Sequence, residues 1–246
     1  EKSGISREKL LAMRREFEYW YPMDVRVSGK DLIQNHLTFC LYIHIALLSP
    51  SYWPRAIRTN GHLLLNGEKM SKSSGNFLTL RDAVDKYGAD AARIAFADAG
   101  DGMEDANFDE TVANSNILRL YTLKEWLEEM NKDESLRTGE YNSWDRYFDN
   151  EMNVLVAEAK KHYEDTNFKL ALKSGLYDMI SARDAYREAV TGANVGVHRD
   201  VVRRYTELQA LIIAPIAPHW AEYIWRDVLQ KVRTCLWSSG SNFCPL

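Results

Sequence analysis

Apolar positions change period along the chain, and the changes mark out its elements. Residues 6–20 carry Leu10, Met13, Phe17 and Trp20 at helical spacing, with Ser6 placed as N-cap and Pro22 as the stop. Residues 23–27 alternate and predict a short strand that runs into Ser28-Gly29-Lys30-Asp31. Residues 32–48 are apolar on nearly every side (Phe39, Leu41, Ile43, Ile45, Leu47), the pattern of a buried helix. Strand, glycine turn and buried helix make a βα unit of an α/β sheet. Beyond Pro50 and Pro54, residues 55–59 fit a second strand. His62 to Leu65 followed by Asn66-Gly67 predicts a hairpin, because Asn-Gly suits a turn with two positive φ values.

From residue 80 the elements read as helices. Helices are expected at 80–87, ended by Gly88, and at 89–97. The stretch 98–110 holds Asp98, Asp101, Glu104, Asp105, Asp109 and Glu110 with no Lys or Arg. It does not have EF-hand spacing and reads as a solvated connector with acids near a helix start. Helices at 108–130, 144–163, 168–190, 197–213 and 215–229 follow, joined by short loops apart from the polar linker 131–142. That predicts an antiparallel bundle. Residues 237–246 have no periodicity and are expected to be poorly ordered.

Composition narrows the picture little. The 246 residues suffice for one large or two ordinary domains, and 46% hydrophobic with 27% charged residues is globular. The formal charge of −4 gives no global sign of nucleic-acid binding, so any RNA contact must be local. Cys40, Cys235 and Cys244 form no zinc-like spacing, and so sparse a set suits a reducing compartment. No apolar stretch approaches a membrane span. The chain opens on Glu1 rather than Met, which suggests a piece of something longer.

The chemistry concentrates in Glu68-Lys69-Met70-Ser71-Lys72-Ser73-Ser74-Gly75-Asn76. Two lysines three apart among Ser, Gly and Asn describe a mobile loop, here delivered by the predicted hairpin. Such a loop can place ammonium groups on oxygens that gain charge as pyrophosphate leaves, with Ser71 and Ser73 adding hydrogen bonds. Against this stands the plain reading of a solvated Lys/Ser surface loop.

KMSKS followed by a small residue, Gly and Asn resembles the second signature of class I aminoacyl-tRNA synthetases. The flanks are most similar to the cytosolic leucyl-tRNA synthetases of eukaryotes. They comprise residues 21–32, Asn35-His36-Leu37, Gly61 to Gly67, Glu104-Asp105-Ala106-Asn107-Phe108, and Ile213 to Trp225. The resemblance covers most of residues 19–228. It implies the C-terminal half of a Rossmann-like catalytic fold (1–106), an anticodon-binding-type helical bundle (107–236) and a tail (237–246). The implied reaction joins leucine to ATP, which arrives with Mg²⁺, and transfers leucyl to tRNA(Leu) in the cytoplasm. Lys72 would contact the phosphates with Lys69 in support. His62 and Leu63 would lie near adenine, and Gly29 and Asp31 beside the ribose or the tRNA end. No protein-held metal is expected, and membership of a multi-synthetase complex is left open.

Each assignment has a plainer counterpart. Asp31 equally suits a cap for the helix that follows, and His36 and His62 suit structural roles. Lys30 is not a Walker lysine, since the position five before Gly29 is Asp24. His219 and Trp225 are expected to pack the last helix, and Arg199, Arg203 and Arg204 to form a solvated basic stripe. No HIGH-type tetrapeptide occurs, so the chain alone is expected to be inactive. Two alternatives follow: a non-catalytic tRNA- or protein-binding module, and a class I synthetase for valine, isoleucine or methionine.

Overall fold

The computed structural model describes residues 4–235, in two compact units. The 237–246 tail and Cys244, for which the sequence carries expectations, lie outside the described residues. The first unit runs to His62 and includes Gly102–Asp105. The second comprises Leu63–Asp101 and the chain from Ala106.

In the first unit, Ser6 caps α1 (Arg7–Trp20) by accepting from the Lys9 amide. Strands β1 (Arg26–Gly29) and β2 (Ile57–Asn60) pair in parallel, from Arg26 opposite Ile57 to Gly29 opposite Asn60. The crossover between them is the expected βα unit. It begins as a 3-10 turn (Lys30–Leu32) and a π turn (Ile33–Leu37) before α2 (Thr38–Leu47). Aromatic contacts tie α1 to the unit: Phe17 lies 4.7 Å from Tyr21 and 5.2 Å from Tyr52, and Tyr21 stacks on His44.

One expectation fails here. The helix read as buried is exposed: Phe39 at 62%, Ile43 at 56%, Leu47 at 76%. A helix apolar on all sides needs cover on all sides, and a single pair of four-residue strands cannot supply it.

In the second unit, β3 (Leu63–Leu65) pairs antiparallel with β4 (Glu68–Lys69) and parallel with β5 (Ala106–Phe108). The Asn66-Gly67 turn has φ of 52° and 82°, the conformation its residues predict. Strand β5 was not foreseen. Helices α3 (Leu80–Tyr87) and α4 (Ala89–Ala99) cover this sheet, with Thr79 and Asp82 forming a capping box on α3 and Gly88 at φ 76° between the two helices. Leu65, Ala83, Tyr87, Ala92, Ala95, Phe108 and Ala113 make its core.

The bundle comprises α5 (Glu110–Lys132), α6 (Ser143–Glu164), α7 (Phe168–Leu172), α8 (Met179–Gly192), α9 (Arg199–Ile213) and α10 (Pro218–Tyr223). It matches the predicted helices with two exceptions: 168–190 is interrupted by a π turn at Lys173–Asp178, and the helix expected at 215–229 starts at Pro218 and gives way to a π turn at Ile224–Val228. The Lys173–Asp178 interruption packs against α9. A Cβ on Gly175 would lie 2.4 Å from Ile212 Cγ2, and the buried Gln209 amide donates to the Gly175 carbonyl at 2.8 Å. Trp225 is buried as expected. His219 does not pack the last helix: its side chain is 79% exposed and lies beside Asp90, which accepts from the His219 and Trp220 amides at the start of α10. Early helix positions leave amides in want of acceptors, and Asp90 supplies one across the chain.

Candidate functional site

The lysine loop grows out of the β3–β4 hairpin. Lys69 ends β4, and Ser71 then bridges to Asn76, its amide donating to the Asn76 carbonyl at 2.9 Å. Between them the chain turns through Lys72–Gly75, with Gly75 at φ 73°, where a side chain would be strained. The Asn76 amide group spans the base of the loop, 3.4 Å from the carbonyls of Leu65 and Lys69. Ser71 Oγ and Ser73 Oγ lie 2.8 Å apart and bond to each other, and Ser74 Oγ donates to the Ser71 carbonyl. Lys69 and Lys72 are exposed, and neither ammonium has an ion-pair partner among the described residues. The sequence-predicted residues Leu63, Lys69, Ser71, Lys72 and Ser73 therefore belong to one local structure.

That hairpin is held from behind. The Asn107 side chain accepts from the Gly67 amide at 2.7 Å. Asn66 and Glu110 bond reciprocally: the Asn66 amide donates to Glu110 Oε2 at 2.9 Å and accepts from the Glu110 backbone at 3.1 Å. Lys86 at 2.6 Å and the Tyr87 hydroxyl converge on the other carboxylate oxygen. Lys86 first, then Tyr87 and Asn66, hold the Glu110 carboxyl down to about 2. A depressed acid stabilises the fold above its ordinary value of 4.5 and loses that contribution as pH falls towards 2. The melting-temperature gap between wild type and Glu110→Gln is thus expected to be widest at neutral pH and to close between those limits. A gap independent of pH would remove the ion pairing as its cause.

In the first unit, Asp105 organises the predicted residue His62. It accepts from Lys30 Nζ at 2.8 Å and from the His62 amide at 2.9 Å, and the His62 ring lies 3.6 Å away. The Lys30 bond and then the His62 amide bring the Asp105 carboxyl below its usual range. Lys30 also donates to the Met103 carbonyl, so it is an internal strut. Gly61 is obligatory: a Cβ there would fall 2.2 Å from the Glu104 carbonyl oxygen. Gly29 closes β1, and Asp31 folds back over it, its Oδ1 2.7 Å from where a Gly29 Cβ would stand. Asp31 caps nothing, since neither turn after β1 has a side-chain cap bond. Its carboxylate has no hydrogen-bond partner among the described residues. His36 is structural, bonded to Arg26 at 2.6 Å.

Two sequence readings hold only in part. Residues 102–105 are exposed and Asp109 and Glu110 begin α5, as a connector with helix-start acids requires, but several of the acids of 98–110 are engaged. Asp98 accepts from Tyr177, Asp101 from the Lys169 amide, Asp105 from Lys30, and Asp109 caps α5 through Thr111. The stretch holds no local cation, and Asp98, Asp101, Asp105 and Glu110 find donors far along the chain, while Asp109 bonds locally; that absence was the available signal for Asp105 and Glu110. Arg199 and Arg203 are exposed, as a solvated stripe requires, and Arg204 is half-buried, but all three are engaged within the bundle. Arg199 donates to the Glu134 carbonyl, Arg204 pairs with Asp149 and Asn153, and Arg203 lies 3.7 Å from Glu207.

Comparison with known proteins places these geometries. Residues 5–119 match the family model described as tRNA synthetases class I (M), and residues 145–242 match the anticodon-binding domain of tRNA ligase. The chain is 66% identical over 234 residues to the cytoplasmic leucine–tRNA ligase of Neurospora crassa, covering 95% of this chain and 21% of that protein. Against the corresponding protein of Saccharomyces cerevisiae it is 58% identical over 230 residues, covering 93% and 21%. The chain thus spans about a fifth of the length of these relatives. Among solved structures, the methionyl-tRNA synthetase of Mycobacterium tuberculosis with methionyl-adenylate superimposes with a TM-score of 0.75 at 22% identity, covering 92% of this chain and 48% of that one. The LeuRS of Agrobacterium radiobacter in a ternary complex with tRNA and LeuAMS gives 0.69 at 18%, covering 87% and 28%. At these identities the likeness is one of fold.

Proposed function

Because this chain belongs to the class I aminoacyl-tRNA synthetases and is homologous to part of the leucine–tRNA ligases, we propose that it supplies the phosphate-binding loop and the tRNA-binding bundle of a leucine-activating enzyme. Residues 1–106 then form part of the catalytic domain and 107–236 the anticodon-binding-type bundle. The observation that carries the reading is the pair of exposed, unpaired ammonium groups, Lys69 and Lys72, on a loop rooted in a braced hairpin.

In the proposed reaction the leucine carboxylate attacks the α-phosphorus of ATP and pyrophosphate leaves. Negative charge grows on the β- and γ-phosphate oxygens, where Lys72, supported by Lys69, is poised to receive it. Charges held ready before the reaction need no reorganisation during it. The Ser71 and Ser73 hydroxyls satisfy each other at rest and exchange that bond for bonds to phosphate. Leu63 and His62 lie at the adenine, and the Asp105–Lys30 pair fixes the His62 backbone. Asp31, uncapped and unpaired, is the group available to a ribose hydroxyl or the tRNA end. Among the described residues no group of three or more His, Cys, Asp or Glu side chains forms a metal site. In the proposed reaction Mg²⁺ arrives as the companion of ATP, bound through its phosphates. Leucyl transfer to tRNA(Leu) follows, with the bundle against the tRNA body. The relatives named above are cytoplasmic, and the same compartment is proposed here. Among the described residues no helix is long and apolar enough to cross a membrane.

The test is pyrophosphate exchange into ATP by the full-length protein with leucine, valine, isoleucine and methionine offered separately. Exchange driven by leucine alone is expected. Exchange driven by one of the others reassigns the substrate, and none with any of them leaves the bundle as a binding module.

A further inference from the structure

Away from the lysine loop, the bundle carries an aromatic slot that the proposed reaction does not use. Helix α6 presents Trp144, Tyr147 and Glu151 at spacings of three and four residues, which places them on one face. Helix α8 presents Ala182, Ala185 and Ala189 at the same spacing, and these short side chains leave space opposite the rings. Phe148 and Tyr186, 4.8 Å apart with planes 14° from parallel, stack beneath. The resulting cavity has a volume of about 310 Å³. That is the small end of ligand sites and suits one side chain or a comparably small group.

Two observations specify the occupant. Trp144 is 46% exposed and Tyr147 68%, so broad ring surfaces face the slot and solvent. Glu151 is half-buried, and its carboxylate has neither an ion pair nor a hydrogen bond among the described residues. Its own helix cannot help: the positions three and four away are Tyr147, Phe148, Val154 and Leu155. The facing alanines are neutral as well. An unpaired, half-desolvated carboxylate among aromatic rings favours a cation that is itself willing to lose water.

We propose that this slot receives an arginine side chain presented by a partner protein. A guanidinium is planar and weakly hydrated, stacks on Trp and Tyr faces, and forks onto a carboxylate. A lysine head is more strongly hydrated and gains less from the rings. A nucleotide brings phosphate towards Glu151 and is repelled.

Saturation-transfer NMR on the full-length protein tests the assignment, with N-acetyl-arginine methylamide as the probe and the lysine analogue and uridine monophosphate as comparators. Transfer to the arginine methylenes is expected, stronger than to lysine. It should vanish in Trp144→Ala and weaken about tenfold in affinity in Glu151→Gln, the scale of one charge-assisted contact. Trp144 is a surface residue and Glu151→Gln preserves shape, so both variants should fold. No transfer to the arginine probe, transfer indifferent to both substitutions, or a nucleotide signal that Trp144→Ala removes would each overturn the proposal.

Discussion

Lys72→Ala in the full-length protein should lower the rate of leucyl-adenylate formation by about two to three orders of magnitude, the effect of deleting one preorganised contact to a developing charge. The Lys72 side chain is exposed and makes no ion pair among the described residues, so its removal strips no packing and orphans no partner. Stability should stay within about 0.5 kcal/mol of wild type, as for other surface substitutions. The loss should fall on kcat for pyrophosphate exchange rather than on the KM for leucine, because the ammonium meets charge that exists mainly in the transition state. Lys72→Arg keeps the charge with a different reach and should restore part of the rate. Ser71→Ala should cost less, since it removes a neutral hydrogen bond. Pyrophosphate exchange and single-turnover adenylate formation separate these effects. Exchange by Lys72→Ala at the wild-type rate would end the assignment of this loop to the phosphates.

What the sequence made readable was local. The Asn66-Gly67 turn, the Ser6 cap and the helix stop at Gly88 follow from residue-level preferences that no distant contact overrides. The lysine loop was equally legible, because its chemistry lies in contiguous residues. Partners far apart in sequence were not. Strand β5 is three residues long and pairs with β3 across some 40 positions, too short for any period to show. Asp105 and Glu110 looked like solvated acids because their cations, Lys30 and Lys86, sit 75 and 24 residues away. The apolar helix α2 fails for the opposite reason. Its pattern states that it wants burial, and pattern alone cannot say what supplies it. The loop itself was therefore visible while the bracing behind it was not. Fixing a loop to a few tenths of an ångström takes groups from several elements, and these need share no sequence spacing.

Asp145→Ala should be the most damaging single change in the bundle, at about 3–5 kcal/mol, because it leaves a charged partner behind in a largely desolvated place. The Asp145 side chain is wholly buried. It accepts from Arg137 at 2.7 and 2.6 Å, from the Tyr186 hydroxyl at 2.6 Å and from the Asn142 amide at 2.8 Å. Its own amide is capped by Asn142, so the residue also starts α6. Tyr186 passes the connection on by accepting from the His198 amide at 3.0 Å. His198 caps α9, with Nδ1 accepting from Asp200 and Nε2 facing the Gly139 carbonyl, an arrangement that fits the neutral ring protonated on Nε2. One carboxylate thus joins the linker before α6 to the starts of α6 and α9 and the middle of α8. Burial alone would push its pKa up, but the bonds from Arg137 and Tyr186 prevail and the carboxyl sits below its ordinary value. Its contribution is therefore complete above the normal aspartate range and declines only under strong acid. Asp145→Asn preserves the shape, sets an amide against the guanidinium and should fall between alanine and wild type. Urea unfolding followed by helical signal gives the comparison, with the midpoint shifted and the slope unchanged. A shift below about 1 kcal/mol for the alanine variant would mean that water replaces the carboxylate and that the network orders the linker without stabilising the bundle.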